Sequence, residues 1–128
     1  MEAVLDWELS TLWHPMAGFA YHALAWEAQP GAERGLAGLD LPALGIPGAA
    51  EYLARYCERI GAAAHSAAGW NFYLVYNLFR GAAISQGILR RALDGSASSV
   101  HALEAGRKAR SVAERAWQRV GDFGQTPN

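Results

Sequence analysis

The chain has 128 residues, the size of one ordinary domain, and 52% of them are hydrophobic, which is enough for a packed core and excludes a disordered tail. Its 11 basic and 12 acidic residues give a formal charge of -1, which argues against a nucleic-acid backbone or an anionic membrane as the main partner. The single cysteine, Cys57, excludes an intrachain disulfide and a multi-cysteine zinc site, and points to a reducing, cytoplasmic setting.

The opening residues, MEAVLDWELS, carry acidic groups and no basic cluster, so they lack the pattern of a secretory signal. Ala3, Val4 and Leu5 read as a short strand that delivers Asp6 to its end, with Trp7 and Glu8 following. A carboxylate at a strand end most often forms a turn or caps a helix. Asp6 and Glu8 also offer the hard oxygen donors that Mg²⁺ takes.

The remainder reads as helices punctuated by glycine and proline. Pro15 suits a helix's first turn and opens a helix running towards Trp26. From Glu27 to Gly48 the chain holds Gly31, Gly35, Gly38, Gly45 and Gly48 with Pro30, Pro42 and Pro47, which predicts a long irregular loop. A second helix begins after Pro47 and ends at Gly61, its Tyr52, Leu53, Tyr56, Cys57 and Ile60 forming one apolar stripe on a surface element.

A third helix, from about Trp70 to Leu93, is apolar nearly all round and is expected to be the central, most buried element. It is about long enough to span a bilayer, but Asn71, Asn77, Arg80, Ser85 and Gln86 favour a buried helix of a soluble protein. Asp94-Gly95 should end it with a left-handed cap. A single last helix is predicted from about Ser99 to Val120, and the ending 121–128 is expected to fray.

Other chemistry-bearing side chains have ordinary readings. His14 and His22 are eight apart, not at the i,i+4 spacing that chelates zinc well. Cys57 lies on an apolar stripe, where a buried inert thiol is the default. Trp70, Phe72, Tyr73, Tyr76 and Phe79 cover every side of a helix, as core residues do. Arg90 and Arg91 fall where cations favour a helix C-terminus.

Taken together, LDWELSTLWHP (5–15), GLDLPALGIP (38–47), EYLARYCERIG (51–61) and WNFYLVYNLFRGAAISQGILRRALDGSASS (70–99) resemble the aminoglycoside-phosphotransferase-like kinases. The resemblance is to the branch that includes kinase-like domains fused to acyl-CoA dehydrogenases, and it covers nearly the whole chain. It implies a mainly α fold, the helical C-terminal lobe of a protein-kinase-like architecture with one short N-terminal strand. By the same resemblance Asp6 occupies the place of the Mg²⁺-binding aspartate and Glu8 assists it, with Mg²⁺ and ATP as cofactors. The acceptor would be a small molecule bearing a hydroxyl, a CoA-linked one included.

The chain departs from the family pattern at Trp13, where the family has Gly, and at Gly18, where it has Asp. No HGD or HRD tripeptide occurs, so the proton-accepting Asp and the Asn of the catalytic HGDxxxxN loop have no counterpart here. The expectation is a C-terminal fragment of an ATP-dependent phosphotransferase, inactive alone, that forms a homo-oligomer or associates with a missing N-terminal half. The alternative is a non-catalytic helical interaction module derived from such a kinase.

Overall fold

The computed structural model describes residues 14–30, 35–62 and 67–121. The short strand expected at residues 3–5 and the tail from 122 onwards lie outside them. The described residues form five helices in order: α1 (Pro15–Ala23), α2 (Ala49–Ile60), α3 (Ala67–Leu93), α4 (Ala102–Arg107) and α5 (Ala109–Gly121), with a 3-10 turn, Leu24–Trp26, continuing α1. The fold is mainly α, with no strand among the described residues. No helix there is long and apolar enough to cross a membrane.

Local chemistry sets the helix ends. Pro15 opens α1, where its missing N–H is not needed. Gly61 ends α2 at φ 64° and Gly95 follows α3 at φ 72°, left-handed positions that cost glycine little. The 27–48 connection is tied down at both ends of its described parts. Leu36 N–H donates to Ala25 C=O at 2.7 Å, and the Trp26 indole N–H donates to Pro47 C=O at 2.9 Å.

The helix α3 is the axis of the molecule, contacted by α1, α4 and α5. Met16, Phe19 and Ala23 of α1 and Cys57 of α2 form a buried cluster, with Tyr52, Leu53, Tyr56, Trp70 and Tyr73 packed around it. Phe19 stacks on Tyr56 with ring centroids 4.1 Å apart, and tilts against Trp70 at 5.9 Å. Burying one such ring contributes about 2 kcal/mol, so this aromatic cluster is what binds α2 to the rest.

Two expectations are corrected. The single last helix is two, α4 and α5, parted at Lys108, whose N–H bonds back three residues to Ala105 C=O. The two halves also meet α3 at different separations. At Gly106 the backbones almost touch, since a Cβ there would lie 2.6 Å from Leu89 Cα. Along α5 side chains intervene, with Val112 Cγ1 3.7 Å from where a Gly81 Cβ would be.

The second correction concerns α3, which is central but not buried all round. Leu74, Asn77, Leu78 and Ala82 are buried, whereas Phe72 and Phe79 are 57% and 67% exposed. Neighbours cover two sides of the helix and leave a third, aromatic side open.

Candidate functional site

Asp6 and Glu8 lie outside the described residues, so the site is built here from the helix they lead into. Its first turn has anchors on two other helices. His14 caps α1, its Nδ1 accepting from Met16 N–H at 3.3 Å, and its ring stacks on Tyr73 of α3 at 5.4 Å. The Tyr56 hydroxyl of α2 donates to Pro15 C=O at 3.3 Å. Asn77, 1% exposed, donates through Nδ2 to Ala17 C=O at 2.8 Å and to Tyr73 C=O at 2.9 Å. A buried amide facing two carbonyls must present its NH₂ to them, which fixes its orientation. Its Oδ1 has no hydrogen-bond partner among the described residues.

A second polar centre joins three distant parts of the chain. Arg119 of α5 pairs with Glu27, Nη2 to Oε1 at 2.9 Å and Nη1 to Oε2 at 2.5 Å, while its Nε donates to Asn71 Oδ1 at 2.5 Å. Asn71 Nδ2 donates to Arg119 C=O at 3.2 Å. A bidentate guanidinium–carboxylate pair has fixed geometry, so it locks the end of α5 to the start of α3 and to the start of the long loop.

Among the described residues a groove of about 830 Å³ lies between α3 and α5. Phe72, Val75, Tyr76 and Phe79 form one wall, and Ala113, Ala116, Trp117 and Val120 the other. A smaller hollow of about 290 Å³ brings Arg91 together with Ser98, Ser99 and His101. Among the described residues no three His, Cys, Asp or Glu side chains come together in a way that could hold a metal ion.

The residues singled out in the sequence therefore separate. Cys57 is a buried thiol. Trp70 and Tyr73 turn into the aromatic cluster, while Phe72, Tyr76 and Phe79 line the groove. Arg80 lies over the Tyr21 ring at 5.9 Å, and Arg90 pairs with Asp94 at 2.8 Å. Sequence reasoning gave no role to His14, Asn77 or Arg119. An asparagine inside an otherwise apolar helical run was the available signal for Asn77.

No family model matches the chain. Its fold superposes with a TM-score of 0.86 on the crystal structure of a candidate aminoglycoside phosphotransferase from Ralstonia eutropha, 51% identical, covering 96% of this chain and 37% of that one. Acyl-CoA dehydrogenase family member 10 of Mus musculus is 44% identical over 90% of this chain and 11% of its own length. Family member 11 of the same species is 36% identical over 91% of this chain and 15% of its own. The chain thus spans a small part of each relative's length. It belongs to the aminoglycoside-phosphotransferase-like kinase family, in which it corresponds to the helical C-terminal part of the fold, in the branch with the kinase-like domains of the acyl-CoA dehydrogenase family members.

Proposed function

We propose that this chain is the C-terminal portion of an ATP-dependent phosphotransferase that moves the γ-phosphate to the hydroxyl of a small molecule. The observation that carries the reading is the 51% identity to the Ralstonia eutropha protein across 96% of this chain. Asp6 would be the Mg²⁺ ligand and Glu8 its assistant, directly or through water. Their carboxylates are the hard oxygen donors that suit the ion. When bound, Mg²⁺ supplies neutralisation of the charge on the phosphates. The part played by the described residues is positional. Tyr56, Tyr73 and Asn77 hold the first turn of α1, and with it His14, to which the 6–13 segment is joined. Similarity to the acyl-CoA dehydrogenase family members favours a CoA-linked hydroxyacyl acceptor.

The 128 residues contain no HGDxxxxN loop, so phosphoryl transfer needs groups from outside them, and the chain alone is inactive. A second reading, a non-catalytic interaction module, is favoured by Trp13 and Gly18 at motif positions. Gly18 is exposed, and a Cβ built there meets nothing within 4 Å, so nothing in the packing demands a glycine. A chimera in which this chain replaces the matching part of the Ralstonia eutropha protein separates the two. Mg²⁺-dependent ATP binding by the chimera, lost in Asp6→Asn, is the expected calorimetric result. Equal binding by Asp6→Asn, or none by the parent chimera, would overturn the metal role and leave the interaction module.

A further inference from the structure

The last turns of α3 and the loop that follows them form a hollow of about 290 Å³ that the catalytic reading leaves unused. Local hydrogen bonds build it. Ser96 N–H and Ala97 N–H donate to Arg91 C=O at 2.9 and 3.1 Å, and the Ser96 hydroxyl donates to the same oxygen at 3.4 Å. The loop is thereby drawn back onto Arg91. Two residues on, His101 N–H donates to Ser99 Oγ at 3.2 Å, which fixes the turn into α4. As a result Ser98, Ser99 and His101 share one hollow with Arg91, and Ile88 and Ala102 supply apolar lining. All four polar side chains are exposed, so a ligand reaches them from solvent.

The lining is rich in donors and free of carboxylates. Arg91 brings a guanidinium fork, the serines bring two hydroxyls, and His101 brings a ring N–H. Asp94 is the one acidic residue from 91 to 101, and Arg90 takes it at 2.8 Å. Among the described residues nothing takes the Arg91 side chain. Its Nη1 lies 3.8 Å from where a Cβ of Gly87 would be, so the missing side chain leaves the guanidinium room. The negative end of the α3 dipole would oppose an anion, but at Arg91 C=O that end is already met by three donors. We propose that this hollow binds a phosphate group, as inorganic phosphate or as a phosphate monoester. A carboxylate offers two oxygens, whereas a phosphate offers three or more and up to two negative charges, which matches a guanidinium with three further donors. At about 290 Å³ the hollow is at the small end of ligand sites, so it takes the phosphate and not a whole nucleotide. A CoA-linked acceptor carries such a monoester as its 3′-phosphate. That source rests on the acceptor proposed above, whereas the site itself uses neither Asp6 nor Glu8.

Calorimetric titration of the 128-residue chain with inorganic phosphate, coenzyme A and dephospho-coenzyme A, each at low ionic strength, tests it. Saturable one-to-one binding of phosphate or of coenzyme A is expected, weakened at least about tenfold by Arg91→Gln. Ser99→Ala should weaken it by less, and Arg55→Gln, an equal loss of charge on α2, should leave it unchanged. Arg91 is exposed and unpaired, so Arg91→Gln should keep the helicity and melting temperature of the parent chain, and lost binding then reports the site and not the fold. Coenzyme A binding at least about tenfold tighter than dephospho-coenzyme A would identify the 3′-phosphate as the source. Binding of inorganic phosphate with no preference between the two coenzymes would identify the free ion. Saturable binding of neither phosphate nor coenzyme A, or binding that Arg91→Gln and Arg55→Gln weaken equally, would overturn the proposal. None of these readouts uses ATP or Mg²⁺, so their failure would leave the catalytic reading standing, and failure of the chimera to bind ATP would leave this site standing.

Discussion

Arg119 and Glu27, 92 positions apart in sequence, face each other through two guanidinium–carboxylate contacts at 2.5 and 2.9 Å, and the remaining Nε of Arg119 is held by Asn71. The side chains are 28% and 33% exposed, so solvent screens the pair less than it screens the open surface pairs, such as Arg110–Glu114. The contact fastens the loop after α1, the start of α3 and the end of α5 at one point. Arg119→Ala should lower stability by about 2 kcal/mol in urea denaturation. Arg119→Lys should recover less than half of that, because one ammonium group cannot reproduce the planar fork.

Asn77 predicts an unusual order of substitutions. Its Nδ2 donates to two carbonyls from a site with 1% exposure. Asn77→Ala should cost about 2 kcal/mol, from the lost donor and a small cavity. Asn77→Asp, nearly the same shape, should cost more, because a buried carboxylate would meet the same two carbonyls as an acceptor. Thermal unfolding of the three proteins at neutral pH checks the order, and an Asp variant as stable as the Ala variant would contradict it.

Glycine positions separate by what surrounds them. Gly106→Ala would put a methyl 2.6 Å from both Cα and Cβ of Leu89, with backbone and not a flexible side-chain end in the way. It should cost about 2–3 kcal/mol and separate α4 from α3. Gly18→Ala meets nothing within 4 Å and sits within α1, so it should stabilise by about 0.5 kcal/mol. Paired denaturant melts of the two variants give the contrast directly.

Among large aromatic residues, Phe19 and Trp117 should respond to very different degrees. Phe19 is 8% exposed at the centre of the aromatic cluster, and Phe19→Ala should cost about 3–4 kcal/mol. Trp117→Ala in the 128-residue chain should cost less than about 0.5 kcal/mol, because the ring is 77% exposed there. Chemical denaturation monitored by circular dichroism distinguishes them.

Several elements were legible in the sequence because their causes are local. Pro15 at a first turn, Gly61 and Gly95 after last turns, and the stripe Tyr52, Leu53, Tyr56, Cys57 on α2 each follow from backbone conformation or periodicity alone. The break at Lys108 was not legible. Gly106 hinted at a close backbone approach, but that its partner is Leu89 and that the helix parts two residues later is set by packing against α3. Nor was the division of the aromatics of α3, since Trp70 and Phe79 look alike in a pattern that records hydrophobicity and not which neighbour arrives.

The candidate site divides along the same line. The sequence by itself determined the family resemblance, the carboxylates Asp6 and Glu8, and the lack of an HGDxxxxN loop, because these are matters of residue identity and order. Only the tertiary structure decided that Tyr56, Tyr73 and Asn77 converge on the first turn of α1, that Arg119 reaches Glu27, and that Phe72, Phe79 and Trp117 share one open groove. The physical reason is that these relationships are made between helices distant in the chain. Side-chain spacing fixes which face of a helix is apolar, but only packing fixes what that face meets.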